Sequence, residues 1–171
     1  MEVFATILRT FWFLIVGVVL LNVRIMRPRV QRLVAMGRIS QEEGERFLRG
    51  FGYGLSIPCV ALGLIALWAR WPTPLCAGIM SFQDLPSAAS AVVILAAWAA
   101  LLFWVWTGSG ADLLGRVAPA MSNMPNWERT YSPRLVRLAI TVMLLAAGVG
   151  GAVAYRSMPQ DVGCSVPVPA A

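Results

Sequence analysis

Residues 88–106 read AASAVVILAAWAALLFWVW, a stretch that contains no charged side chain and ends in an aromatic cluster. A helix of about 20 apolar residues crosses the ~30 Å hydrocarbon core of a bilayer, so this stretch predicts a membrane-spanning helix. Three more stretches have the same character, at residues 3–23, 51–69 and 135–155. We therefore predict an all-α, polytopic membrane protein: a single transmembrane domain over residues 1–171, folded as a four-transmembrane-helix bundle.

The composition supports a membrane environment. Hydrophobic residues make up 58% of the chain and charged residues only 13%, whereas about a quarter of a soluble domain is charged. The formal charge of +6 comes from arginines that lie between the apolar stretches, which disfavours nucleic acid as a partner. The chain has no histidine, which excludes histidine-ligated haem, chlorophyll and metal sites, and we expect no bound cofactor.

The arginines also predict an orientation. Two connections carry eleven of them, Arg24, Arg27, Arg29, Arg32, Arg38, Arg46 and Arg49 in the first and Arg116, Arg129, Arg134 and Arg137 in the third. The opposite side has three, Arg9, Arg70 and Arg156. Since loops rich in basic residues stay in the cytoplasm, we expect a multi-pass protein of the bacterial inner (plasma) membrane with both termini non-cytoplasmic. The first stretch lacks a basic segment before it, so we interpret it as an uncleaved span. The exclusive use of arginine over lysine suggests GC-rich coding, hence a bacterial source.

The first connection begins with a predicted amphipathic segment. Pro28 suits the first turn of a helix, and Val30, Leu33 and Val34 recur at helical spacing. We expect a short interfacial helix at the lipid headgroups, with its basic side chains directed toward anionic lipid: Arg24, Arg27, Arg29 and Arg32.

A second helix start follows in the same connection. Ser40 and Glu43 have the spacing of a capping box, in which each residue satisfies a backbone N–H of the other. We predict a helix that begins near Gln41 and continues into the second span.

The second Arg-rich connection, residues 108–133, is rich in Gly, Pro, Ser and Asn. Residues 112–117 predict a turn or two of helix. Met121, Met124 and Trp127 are partly apolar, which favours packing on the membrane surface or on a partner.

The cysteines suggest a structural disulfide. Cys76 and Cys164 both fall on the predicted outer side, where oxidising conditions would permit a bond between them; two unpaired thiols are the alternative. Cys59 lies within the second span and is expected to act as a small hydrophobe. The chain has no Cys-x-x-Cys pair, which disfavours a thiol oxidoreductase.

Few polar groups lie within the spans. Arg9 is near one end of the first span, where it either extends to the interface or has a function. The interiors of the other three spans lack Asp, Glu and Lys, which disfavours a proton or cation pathway. Gly148 and Ala152 form a small-xxx-small pattern, so we expect the third and fourth spans to pack tightly, either within the bundle or on a neighbouring subunit.

These observations favour a non-catalytic accessory, assembly or scaffold subunit of a larger bacterial inner-membrane complex. Its partners would be membrane lipids and other membrane subunits, or further copies of itself. The alternative is a small oligomeric transporter or channel for an apolar or weakly polar solute. A third hypothesis is a lipid-directed enzyme that uses charged groups of the second Arg-rich connection: Asp112, Arg116, Glu128 and Arg129.

Overall fold

Four long helices and one short helix form the described part of the chain. The computed structural model describes residues 10–71, 76, 84–121 and 130–157. Its helices are α1 (Phe11–Ala35), α2 (Gln41–Trp68), α3 (Leu85–Thr107), α4 (Gly110–Met121) and α5 (Pro133–Ser157). All but α4 are long and apolar enough to cross a membrane. The predicted all-α architecture with four spanning helices is confirmed.

The short amphipathic helix is not where the sequence pattern placed it. The segment that begins at Pro28 is the last part of α1, which continues without a break from the first span. The buried residues of α1 explain this continuity, because Val19, Met26, Val30 and Leu33 form one stripe at helical spacing. Pro28 lies off that stripe and is exposed. A proline has no N–H, so the carbonyl one turn before Pro28 has no helical donor, and it lies on the exposed side of α1. The separate short helix is α4, which contains residues 112–117.

A tight turn connects α1 to α2. Gly37 has a φ of +70°, a conformation that glycine adopts without a steric penalty. The N–H of Arg38 donates to the carbonyl of Leu33 at 3.0 Å, and the N–H of Gly37 donates to Val34 at 2.9 Å. These two bonds are a Schellman motif, which closes the end of α1 and reverses the chain.

The closest helix pair is α1 with α2. Three glycines of α2 face α1, and two of them, Gly44 and Gly63, lack space for a side chain. A Cβ on Gly63 would lie 2.9 Å from the Phe13 ring, and one on Gly44 would lie 2.9 Å from a methyl group of Val30. Gly52 lies between them, opposite Val23. Glycines further along α2 meet residues closer to the start of α1, because the two helices are antiparallel.

The third and fourth spans, α3 and α5, meet at Gly148, and their tight packing, within the bundle or on a neighbour, stays a prediction. Gly148 of α5 meets the Trp98 ring of α3, which an added Cβ would approach to 3.5 Å. Ala152 is exposed. Within the described residues, Gly148 is thus paired with a large aromatic ring, whereas close helix contacts in lipid are enriched in small residues.

Apolar side chains cluster at both ends of the helices. We call the end where α1 meets α2 and α5 begins the Arg-rich end, and the opposite end the Cys76 end. The largest buried cluster is at the Arg-rich end and joins α1, α2 and α4: Met26, Val30, Leu33, Ile39, Phe47, Leu48, Leu113 and Val117. The cluster at the Cys76 end contains Leu62, Ala66, Ala69, Trp71 and Cys76. A third cluster joins the end of α3 to α4 and α5: Val105, Ala111 and Val136.

Candidate functional site at the Arg-rich end

Helix α4 docks across the α1–α2 turn with its apolar side inward. Leu113 and Val117, one helical turn apart, are 2% and 0% exposed and belong to the same cluster as Leu33. Asp112 and Arg116 occupy the neighbouring positions on the helix, next to this buried pair. Side chains four residues apart lie on one side of a helix, so α4 presents an apolar strip bordered by a charged strip.

Arg116 connects α4 to α2 and to the α1–α2 turn. Its Nη2 donates to Glu43 Oε1 at 2.7 Å and its Nη1 donates to Glu43 Oε2 at 3.2 Å, a two-point contact. The same Nη1 donates to the backbone carbonyl of Arg38 at 3.2 Å. Asp112, one turn earlier in α4, lies 2.9 Å from Nη2. A planar guanidinium group suits such a contact because it offers two parallel N–H groups to one carboxylate.

Glu43 takes part in two interactions at once. The predicted capping box is present: the N–H of Ser40 donates to Glu43 Oε2 at 2.8 Å, and the N–H of Glu43 donates to Ser40 Oγ at 3.1 Å. The hydrogen bond from Arg116, followed by the one from the Ser40 backbone, lowers the pKa of Glu43 to about 2. The hydrogen bond to Glu43 in turn raises the pKa of Arg116. The cap of α2 is therefore also the anchor of α4.

This charge cluster is suited to holding helices together. A carboxylate with a pKa of about 2 is ionised at neutral pH and is a weak base, whereas an efficient general base has a pKa near the working pH. Asp112 shares the same guanidinium group, which lies between the two carboxylates. The lipid-directed enzyme hypothesis also used Glu128 and Arg129, which lie outside the described residues.

The segment before α5 is hydrogen-bonded to α4, at a carbonyl that a proline leaves without its helical donor. In a helix the carbonyl of residue 115 would accept from the N–H of residue 119, but Pro119 has no N–H. The backbone N–H of Tyr131 donates to the Gly115 carbonyl instead, at 2.9 Å. Gly115 permits this approach because any Cβ there would collide with the carbonyl oxygen of Tyr131.

Arg137, near the start of α5, donates a hydrogen bond to a backbone carbonyl at the end of α3. Its Nε donates to the carbonyl of Val105 at 3.3 Å, and its guanidinium carbon lies 5.7 Å from the centre of a Trp106 ring. The carbonyl of Val105 belongs to the last turn of α3, where acceptors lack a helical donor and the helix dipole favours positive charge. The Trp106 indole also donates to Thr141 Oγ1 at 3.2 Å. One cation thus links α5 to the end of α3.

The four arginines expected at the lipid surface differ in their exposure and in their partners. Arg24 and Arg32 are exposed, and Arg29 is half-buried. Arg27 forms a loose, exposed ion pair with Glu45 at 4.0 Å. Their contact with anionic lipid stays a prediction.

The cysteines lie in different surroundings. Cys76 is 1% exposed within the cluster at the Cys76 end, and its sulfur is not a free thiol. Cys164 lies outside the described residues, so the bond between the two stays a prediction. Cys59 is a free, half-buried thiol within α2. Arg9, Met124 and Trp127 lie outside the described residues as well.

Sequence reasoning did not find the partners of Arg116 and Arg137. Arg116 and Glu43 are 73 residues apart, and no local pattern relates them. The Gly115-x-x-x-Pro119 spacing could have been used, because it predicts an orphan carbonyl that a neighbouring segment must satisfy. The site as a whole is a docked helix held by an apolar strip, one shared ion pair and one backbone hydrogen bond.

The fold and this site define an all-α, multi-pass membrane protein with a packed helical cap at its Arg-rich end. The chain matches no protein-family model, and comparison with curated proteins and with solved structures gives no match.

Proposed function

We propose that this protein is a non-catalytic accessory, assembly or scaffold subunit of a larger bacterial inner-membrane complex. The observation that carries the proposal is the uncovered state of α5. In its most apolar window only 6% of the residues are buried by the rest of the described chain. Side chains at Gly150 and Gly151 would meet no described atom within 4 Å.

Open glycines on a spanning helix favour contact with another helix. Lipid tails are as apolar as leucine side chains, so helices associate in a bilayer through close packing and hydrogen bonds. Glycine allows two backbones to approach, and it weakens a helix by roughly 0.5–1 kcal/mol relative to alanine. Two adjacent glycines without a neighbour therefore suit a surface that a helix from a second subunit covers.

The Arg-rich end suits a scaffold because its parts are fixed to one another. Helix α4, the α1–α2 turn and the segment before α5 are joined by Arg116 and by the Gly115–Tyr131 hydrogen bond. Arg137 adds a link between α5 and α3. A partner that binds α5 would therefore be held in a set position relative to the rest of this end.

The proposed orientation has the Arg-rich end in the cytoplasm and both termini outside, because eleven of the fourteen arginines fall between the predicted spans at that end or just inside them. We also propose a disulfide between Cys76 and Cys164 on the outer side. The buried position of Cys76 and the absence of a free thiol there support it. Alkylation before and after reduction, followed by intact-mass measurement, should add one label before reduction, at Cys59, and three after it.

The test is gentle extraction of the tagged full-length chain from its own membrane, followed by mass spectrometry of what stays bound. We expect a larger membrane subunit at constant stoichiometry. The double variant Gly150→Leu/Gly151→Leu should lose this subunit, because the new side chains occupy the contact. Gly17→Leu should keep the subunit and is the control for adding a leucine at an open position: Gly17 of α1 also has no described atom within 4 Å of an added Cβ, but it is a single glycine, whereas Gly150 and Gly151 are adjacent.

The alternative function, a small oligomeric transporter or channel, predicts a different result from the same experiment. The open glycines of α5 could equally meet α5 of a second copy. In that case the extracted protein would be a symmetric homo-oligomer without a partner, and it would carry flux in liposomes. A monomer without any bound protein would contradict both proposals.

A further inference from the structure

We infer that Arg134 and Arg137 form a binding site for the phosphate group of an anionic phospholipid, beside Trp106 at the Arg-rich end. The two arginines are three residues apart near the start of α5, so they lie on one side of the helix. Neither forms an ion pair with a carboxylate among the described residues, in contrast to Arg27, Arg46 and Arg116.

The Arg137 guanidinium is held in place on one edge only. Its Nε donates to the Val105 carbonyl, and its Cζ lies 5.7 Å from the centre of a Trp106 ring. Both Nη groups are without a hydrogen-bond partner among the described residues. A phosphate accepts two parallel N–H groups from one guanidinium, and a side chain already fixed loses little further freedom when it binds. This arrangement distinguishes Arg137 from a solvated surface arginine.

The surroundings favour a lipid over a free anion. Leu135 and Leu138 of α5 are 53% and 63% exposed, and Phe103 of α3 is 71% exposed. Leu135 and Leu138 lie on the helix that carries both cations, and Phe103 lies on α3, which Arg137 contacts through Val105. All three are at the ends of predicted spans. A phospholipid could place its phosphate at the arginines and its acyl chains along this apolar surface, whereas inorganic phosphate would use the cations alone.

The test measures lipid binding by native mass spectrometry on the full-length protein after detergent exchange, with phosphatidylglycerol and phosphatidylcholine as probes. We expect one phosphatidylglycerol to be retained in preference to phosphatidylcholine. Arg134→Gln/Arg137→Gln should weaken its retention about tenfold or more, because charge-assisted hydrogen bonds to the phosphate are lost. Arg49→Gln is the matched control: Arg49 also donates its Nε to a backbone carbonyl, that of Glu45 at 3.4 Å, and has no carboxylate partner among the described residues.

The single variant Arg134→Gln is a second test, because the loss of Arg137 could disturb the end of α3 and change lipid binding indirectly. The Arg134 side chain is exposed and is not among the described ion pairs, so this variant should keep the fold. Its affinity for the lipid should nevertheless be several-fold lower than that of the wild type. Equal retention by Arg134→Gln and Arg49→Gln would overturn the site. Displacement of the lipid by millimolar inorganic phosphate would overturn its assignment to a phospholipid, as would equal retention of phosphatidylcholine.

Discussion

The Arg-rich end and the middle of α5 (residues 142–153) carry similar apolar side chains, but the described residues bury those of the first region only. Leu33 and Val117 at the Arg-rich end are fully buried, whereas Leu145 and Val149 of α5 are each 64% exposed. The hydrophobic effect explains the difference. Side chains beyond the hydrocarbon would face water and gain by burial, whereas side chains within it face lipid and gain little. Apolar character therefore predicts burial only outside the spans.

The largest expected effect comes from removing a side chain of the buried cluster. Leu33→Ala should lower the free energy of unfolding by about 2–5 kcal/mol, because it leaves a cavity among α1, α2 and α4. Leu145→Ala should lower it by less than ~0.5 kcal/mol, since lipid or detergent replaces the lost contacts. Denaturant titration of both variants in the same detergent measures the difference. Equal losses would show that the two regions are held by the same force.

The next effect concerns the glycines, which also differ between the two regions. Gly63→Leu should destabilise the protein by about 1–3 kcal/mol, because the new side chain meets Phe13 and Trp12 of α1. Gly150→Leu should leave the isolated protein unchanged, since no described atom lies within 4 Å of an added Cβ. The same titration checks both variants. A loss for Gly150→Leu as large as that for Gly63→Leu would mean that α5 is covered within a single copy.

A smaller effect is expected from the Glu43–Arg116 pair. A double-mutant cycle with Glu43→Gln and Arg116→Gln should give a coupling free energy of about 1–2 kcal/mol, because the contact is bidentate but about a third exposed. The control is a cycle on Glu42 and Arg46, an exposed pair at 2.7 Å within α2. That pair should give about 0.3–0.5 kcal/mol. Similar values for the two cycles would contradict the role of Arg116 as the link that holds α4.

The features predicted correctly from the sequence are those that depend on neighbouring residues. The spanning helices follow from long apolar stretches, and the capping box follows from Ser40 and Glu43 at a fixed spacing. The features that were missed depend on residues far apart in the chain. Pro28 suggested a helix start, and only the buried stripe along α1 reveals that the helix continues through it.

The same reason explains why the close contact between α1 and α2 was not predicted. A glycine on one helix does not reveal what faces it. The sequence therefore could not show that Gly63 meets the Phe13 ring of α1 more closely than Gly148 meets the Trp98 ring of α3. The pairing of Arg116 with Glu43 could not be predicted either, because no residue near either of them in the sequence indicates the distant partner.

The smallest effect is the pH dependence of the link between α4 and α2. Since folding lowers the pKa of Glu43 from its ordinary value of 4.5 to about 2, the ionised form is favoured in the folded protein. Its stabilisation is fully present above about pH 4.5 and is lost as the pH falls toward 2. Unfolding titrations at pH 5 and pH 2.5 should therefore show a larger loss for the wild type than for Glu43→Gln, which cannot ionise. Arg116→Gln should also reduce the loss, because Arg116 is the largest cause of the shift. A parallel decline of the wild type and Glu43→Gln would mean that other carboxylates govern the acid response, and that the charge of Glu43 adds little to the apolar strip in holding α4.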